Sequence, residues 1–322
     1  MSPLALASPA SLKGVRDSAS AAADLAAGLR RWVAAEELPV ADGGEGTAAV
    51  LHAARGGEWR RARVTDPLGL PVTARWLALP DGTAVVDSAE AIGLPLVGVE
   101  ERDPLRASTR GLGELLLAIL AEQPREVLVG VGGTATVDGG AGMREVVGAE
   151  LRGARVRVLC DVRNPLLGER GAARVFGPQK GAGPDAVEEL ERRLASIPEL
   201  EPFRDLPGAG AGGGLGAGFA ALGAELCDGA LLVLDTIAFD ERARRADLVV
   251  TGEGTVDRTT LEGKAPGAVV RRCEALGVEC VLFGGLVRDG IDARALSGDL
   301  RSAAEDLEAL GEELGRALLE RA

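Results

Sequence analysis

Only three of the 36 basic residues are lysines, and the rest are arginines. Lys13, Lys180 and Lys264 each adjoin a glycine, as Lys13-Gly14, Lys180-Gly181 and Gly263-Lys264. A compact ammonium beside backbone that carries no Cβ suits a point contact to a phosphate or another small anion. Carboxylates recur in similar company. Asp42 and Glu45 lie in Asp-Gly-Gly-Glu, Asp138 precedes Gly139-Gly140, Asp161 ends an apolar run, and Glu253 and Asp257 share Thr251-Gly-Glu-Gly-Thr-Val-Asp257. The single histidine, His52, sits in an alanine-rich helical stretch and reads as a packed or surface residue. A carboxylate is then the natural general base, and carboxylates also hold Mg2+ through oxygen. Residues 132–142 form the best anion cradle: Gly132, Gly133, Gly139, Gly140 and Gly142, with Thr134 and Thr136, follow an apolar strand. Backbone N–H groups there can face a phosphate. The loop is no Walker A motif, and the G-x-G-x-x-G match at Gly208, Gly210 and Gly213 follows Asp205-Leu-Pro207 rather than a strand. It reads as a flexible loop beside a nucleotide cleft. Taken singly, each carboxylate is as well explained as a cap or turn former. Taken together, the set points to phosphoryl transfer from a Mg-nucleotide, a reaction of alignment and charge neutralisation.

These groups need elements to hold them. A short apolar run at 4–7 reads as a strand, and 17–35 as a helix capped by Asp17 or Ser18. Residues 59–65, 72–79 and 83–87 read as an antiparallel meander with turns at Pro67-Leu-Gly69 and Pro80-Asp-Gly82. Beyond it, helices near 113–123, 185–196, 267–276 and 302–321 alternate with strands at 126–131, 156–160, 247–250 and 278–284. This is the doubly wound pattern, whose sites lie at the carboxyl ends of strands.

Length and composition set limits. The 322 residues suit two domains. A net charge of −13 and 2% aromatics, with no tyrosine, disfavour nucleic acid and anionic membrane surfaces as partners. Cys160, Cys227, Cys273 and Cys280 form no C-x-x-C pair and suit a reducing cytoplasm. Residues 1–10 lack the cationic start of a signal peptide.

At its motifs the chain resembles the bacterial type I glycerate kinase family. The matching segments are Ala41-Asp-Gly-Gly-Glu-Gly-Thr47, Ala89-Glu-Ala-Ile-Gly-Leu94, Ser108-Thr-Arg-Gly-Leu-Gly-Glu114, residues 132–143, Cys160-Asp-Val-Arg-Asn-Pro-Leu166, Phe176-Gly-Pro-Gln-Lys-Gly181, residues 206–218, Thr251-Gly-Glu-Gly254 with Asp257, and Gly263-Lys-Ala-Pro266. They run in the family's order over nearly the whole chain. The resemblance implies an α/β protein. A Rossmann-like doubly wound domain (1–60 plus 230–322) would carry a second, inserted α/β (α+β) domain (61–229), with the active site in the cleft between them. It implies ATP- and Mg2+-dependent phosphorylation of D-glycerate to phosphoglycerate, usually at the 2-hydroxyl; a homodimer is left open.

Carried over by motif, Asp161, Lys180 and Lys13 are the expected catalytic residues, Asp161 as base and Lys180 beside the transferring phosphoryl. Asp42, Glu45, Gly132, Gly133, Thr134, Thr136, Asp138, Asn164, Gln179, Glu253, Asp257 and Lys264 would bind substrate and phosphate, with Asp42 or Asp161 as candidate Mg2+ ligands. The chain departs from the family at Ala10, where the family has an aspartate, and at Val137, where it has an asparagine. It is also shorter between Glu150 and Arg155 and after Gly290. Two other classes stay open: a catalytically weakened homologue that binds or regulates, and a nicotinamide-dependent enzyme of small acids.

Overall fold

The structure is a computed structural model, and it describes residues 3–148, 151 and 153–322. The connection expected to be shortened after Glu150 lies partly outside the described residues. The strands are β1 (Leu4–Ala7), β2 (Ala34–Glu37), β3 (Glu58–Thr65), β4 (Pro71–Ala78), β5 (Thr83–Asp87), β6 (Glu126–Gly130), β7 (Arg155–Cys160), β8 (Glu225–Asp228), β9 (Leu248–Val256), β10 (Cys280–Val287) and β11 (Arg294–Ala295). The chain forms two compact units. Unit 1 holds residues 1–42, 49–55 and 230–322, and unit 2 holds 43–48 and 56–229.

Unit 1 is built on a parallel sheet in the order β11-β10-β9-β1-β2. The chain winds from β1 outward to β2, and from β9 the other way through β10 to β11. The winding therefore reverses between β1 and β9. The helix Ser18–Leu29 follows β1, and Asp17 caps it by accepting the Ser20 N–H. It packs against the C-terminal helix Ala303–Arg321, and Leu25, Leu29, Leu307, Leu310, Leu314 and Leu318 form the apolar seam. Each such leucine contributes about 1.5–3 kcal/mol when fully buried.

Unit 2 is built on a mixed sheet in the order β3-β4-β5-β6-β7-β8. The meander β3-β4-β5 is antiparallel, as its alternation predicts, and β5 to β8 run parallel. The helix Arg110–Ala121 buries Leu112, Leu115, Leu116 and Ile119 against Val127, Val129 and Val158 of the sheet.

Two expectations fail for physical reasons. The first helix stops at Leu29, and β2 follows at Ala34–Glu37. This is a four-residue edge strand, Ala-Ala-Glu-Glu, without the β-branched residues that signal a strand. The glycine-rich stretch read as a flexible cleft loop is instead packed. Gly213 takes φ +77°, and a Cβ on it would stand 2.0 Å from the Thr136 carbonyl. Residues Gly213–Ala220 are all buried, and from Leu215 the chain is helical.

Candidate active site

In unit 2 the carboxyl ends of β5, β6 and β7 carry the groups of interest. The loop 132–138 leaves β6 and crosses the segment Gly43-Gly44-Glu45. A Cβ on Gly132 would lie 2.6 Å from the Gly44 Cα, so the two backbones touch only because both are glycine. Glu45 is exposed at this crossing, and its Oε2 lies 3.0 Å from the point where a Gly133 Cβ would be. Lys180, on the 3-10 turn Pro178–Lys180, reaches the loop from the other side. Its Nζ donates to Thr134 Oγ1 at 2.9 Å and to the Thr136 carbonyl at 2.8 Å. The side chain is buried, and that burial pushes its ammonium down to about 7, against the opposing pull of Asp138 and Asp161. Lys180, expected beside the transferring phosphoryl, therefore also holds the loop through both of these bonds. The Thr136 hydroxyl is fully buried and has no hydrogen-bond partner.

Asp138 organises the loop. One oxygen accepts from the Thr109 N–H (2.9 Å), the Thr109 hydroxyl (2.8 Å) and the Gly142 N–H (3.2 Å), and the other from the Gly140 N–H (3.1 Å). Asp161 follows β7 directly and is half-buried. Asn164 donates to the Arg170 carbonyl at 2.8 Å and fixes its own turn, while Gln179 is exposed beside Lys180.

Sequence reasoning missed Asp87. It ends β5 as Asp161 follows β7, and it accepts from the Gly46 N–H (2.9 Å) and the Ala48 N–H (3.2 Å). It pins the segment that carries Glu45. Burial pushes its carboxyl up to about 7. The available signal was an apolar strand, Thr-Ala-Val-Val, ending in a carboxylate.

Unit 1 gathers a second set. Asp42 is its half-buried last residue before Gly43. Lys13 is exposed at the tip of a tight turn closed by reciprocal Leu12 and Arg16 backbone bonds, with Gly14 at φ +75°. Ala10 is nearly buried in the same segment and donates to the Gly252 carbonyl at 2.9 Å. At the end of β9, Glu253 is buried, and its Oε1 accepts from Thr260 Oγ1 at 2.6 Å and Lys264 Nζ at 3.1 Å. Asp257 caps the helix Arg258–Gly263 in a reciprocal box with Thr260. The Thr259 hydroxyl's hydrogen bond holds it below the usual carboxylate range. Lys13, Glu253 and Lys264 line one cavity of about 240 Å³.

The structure thus forms two local clusters, Thr134–Thr136–Lys180 with Asp138 and Asp161, and Lys13–Glu253–Lys264. Asp138, Asp257 and Asn164 spend their hydrogen bonds on loops and caps. Among the described residues no group of three or more His, Cys, Asp or Glu could hold a metal alone.

Comparison with known proteins identifies the family. The profile described as "Glycerate kinase family" matches residues 5–155 and 147–305. The chain is 42% identical to Glycerate 2-kinase of Escherichia coli (strain K12) over 267 residues, 71% of this chain and 70% of that protein. It is 38% identical to a Glycerate kinase of Halalkalibacterium halodurans over 326 residues, 88% and 86% of the two chains. The crystal structure described as "putative glycerate kinase 2 from Salmonella typhimurium LT2" superposes with a TM-score of 0.84 at 30% identity, covering 100% of this chain and 99% of that one. The family match spans nearly the whole chain and two named relatives agree with it, so the chain belongs to the glycerate kinase family.

Proposed function

We propose that this chain transfers the terminal phosphoryl group of ATP to D-glycerate, at the 2-hydroxyl, releasing ADP and 2-phosphoglycerate. The observation that carries the proposal is the Lys180 ammonium seated between Thr134 and Thr136 under a glycine loop, with Asp161 close enough to act on its charge. An anion on that loop favours the charged form of Lys180, so binding and charge support each other. Asp161 takes the proton of the attacking hydroxyl. A new bond forms from that oxygen to the phosphorus, and the bond from phosphorus to the leaving oxygen breaks, its electron pair departing with ADP. Lys13 and Lys264 neutralise phosphate charge, a role for which point charges suffice. Mg2+ brought in by the nucleotide phosphates needs only one or two carboxylates, and Asp42 would be its ligand while Asp161 serves as base. That ion would supply further charge neutralisation.

No helix among the described residues is long and apolar enough to cross a membrane. With four free thiols, we place the reaction in the cytoplasm. The test is ADP release that depends on D-glycerate, followed by a coupling enzyme that accepts only 2-phosphoglycerate. Nucleotide binding without glycerate-dependent ADP release would make the chain a binding homologue. A product the coupling enzyme refuses would move the phosphoryl group to the 3-hydroxyl.

A further inference from the structure

We infer that the cavity of unit 1 receives the nucleoside of the nucleotide, with its phosphates directed at Lys13 and Lys264. This rests on the kinase reading above and assigns the nucleotide to one side of it.

Position is the first argument. The cavity opens at the carboxyl ends of β1, β9 and β10, bounded by Leu12 and Lys13 after β1, Gly254 and Thr255 of β9, and Leu286 of β10. The winding reverses between β1 and β9, and open α/β sheets bind ligands at such a reversal.

Chemistry is the second. Leu12, Val15, Leu286, Leu296 and Leu300 give it an apolar wall, and at its rim Leu286 is 47% and Leu300 70% exposed. Glycerate has three carbons bearing a carboxylate and two hydroxyls, and it offers no face to such a wall. A purine does. The volume of about 240 Å³ falls below the ~300–1,000 Å³ of pockets that enclose a whole drug-sized ligand, so it suits a nucleoside rather than an entire triphosphate.

Charge sets the orientation. Lys13 follows β1 and Lys264 meets Glu253 of β9, whereas Asp299 and Asp306 reach the cavity from the segment after β11 and from the first turn of the C-terminal helix. Asp306 is held by the Ser297 N–H and hydroxyl, at 3.1 and 2.6 Å. Asp299 and Asp306 repel phosphates and leave their side of the cavity to the base, while the Glu253 carboxylate is already paired with Lys264.

Titration of ADP into the full chain, read by heat, tests this without turnover. Leu286→Glu and Leu300→Glu alter exposed side chains and should each raise the Kd for ADP by about tenfold or more, while the KM for glycerate changes less than about twofold. Lys13→Ala should weaken ADP far more than adenosine. Unchanged ADP affinity in both leucine variants overturns the inference, as does a rise confined to the glycerate KM. ADP binding lost in the leucine variants of a chain that phosphorylates no glycerate would sink the kinase reading and keep this one. Glycerate phosphorylation with ADP affinity intact in both would do the reverse.

Discussion

The loop after β6 in unit 2 and the end of β9 in unit 1 are written in the same alphabet of glycine, threonine, carboxylate and lysine, yet they use it differently. In unit 2 the polar groups are turned inward. Asp138 collects four bonds, Asp87 two, and Lys180 is buried with its ammonium spent on Thr134 and Thr136. In unit 1 Lys264 retains 31% of its side-chain exposure and meets Glu253 at the wall of an open cavity. A buried polar network costs several bonds when one member is removed, whereas a part-exposed pair costs little. Activity and stability should therefore fall together in unit 2 and separate in unit 1.

The largest effect expected is at Asp161, the one unit 2 group assigned direct chemistry. Asp161→Asn keeps the shape and removes the base, so kcat should fall ~10²–10⁴-fold with the KM for glycerate and the Tm nearly unchanged. A collapse in glycerate affinity with kcat intact would make Asp161 a binding residue and leave Asp42 as the base. Next is Lys180→Ala. It should lower kcat by ~10²-fold and also lower the Tm, because a cavity opens beside the stranded Thr136 carbonyl and Thr134 hydroxyl. Lys180→Arg should not rescue either property, since a planar fork does not fit a site cut for one ammonium. Wild-type turnover in Lys180→Ala would remove Lys180 from the reaction, and a normal Tm would remove it from the scaffold.

Much of this arrangement is legible in residues alone, and the failures have a common cause. The meander β3-β4-β5 shows through its alternation and through Gly69 and Gly82, which take φ +89° and +84° at the turns. The strand ends that carry Gly132 and Asp161 show through apolar runs broken by glycine or carboxylate. What stays hidden is what the backbone touches. Gly213 beside the Thr136 carbonyl is read as flexibility because glycine composition is the same for a mobile loop and for two backbones in contact. Lys180 is legible as special through its neighbour Gly181, but nothing local says that its ammonium points under the loop. Asp87 looks like an ordinary strand terminator until the Gly46 and Ala48 N–H groups are found against it. β2 carries no strand signal, because an edge with Glu36 and Glu37 is chosen for exposure rather than for packing.

Lys264→Ala is the counterpart in unit 1. It should raise the KM for ATP about tenfold and lower the Tm less than Lys180→Ala does, since Lys264 is part-exposed and the buried Glu253 keeps its bond from Thr260. A Tm drop matching that of Lys180→Ala would erase the contrast between the two units.

The last contrast is a pH signature carried by Lys180 and Asp87 of unit 2. Burial pushes the Lys180 ammonium from 10.5 down to about 7. Between pH 7 and 10.5 the unfolded chain therefore carries a proton that the folded chain lacks, and stability should rise with pH across that window. Asp87 behaves oppositely, because burial pushes its carboxyl from 3.8 up to about 7. Between pH 3.8 and 7 the folded chain holds a proton that the unfolded chain has lost, and stability should fall as pH rises. The two contributions meet in a minimum near pH 7. Urea unfolding across pH 4–10, followed by a probe in unit 2, reads it. Lys180→Met should flatten the alkaline limb and Asp87→Asn the acid limb, each leaving the other in place. A curve for Lys180→Met that keeps its alkaline rise would mean that the ammonium is already solvated, and unit 2 would then be as open as unit 1.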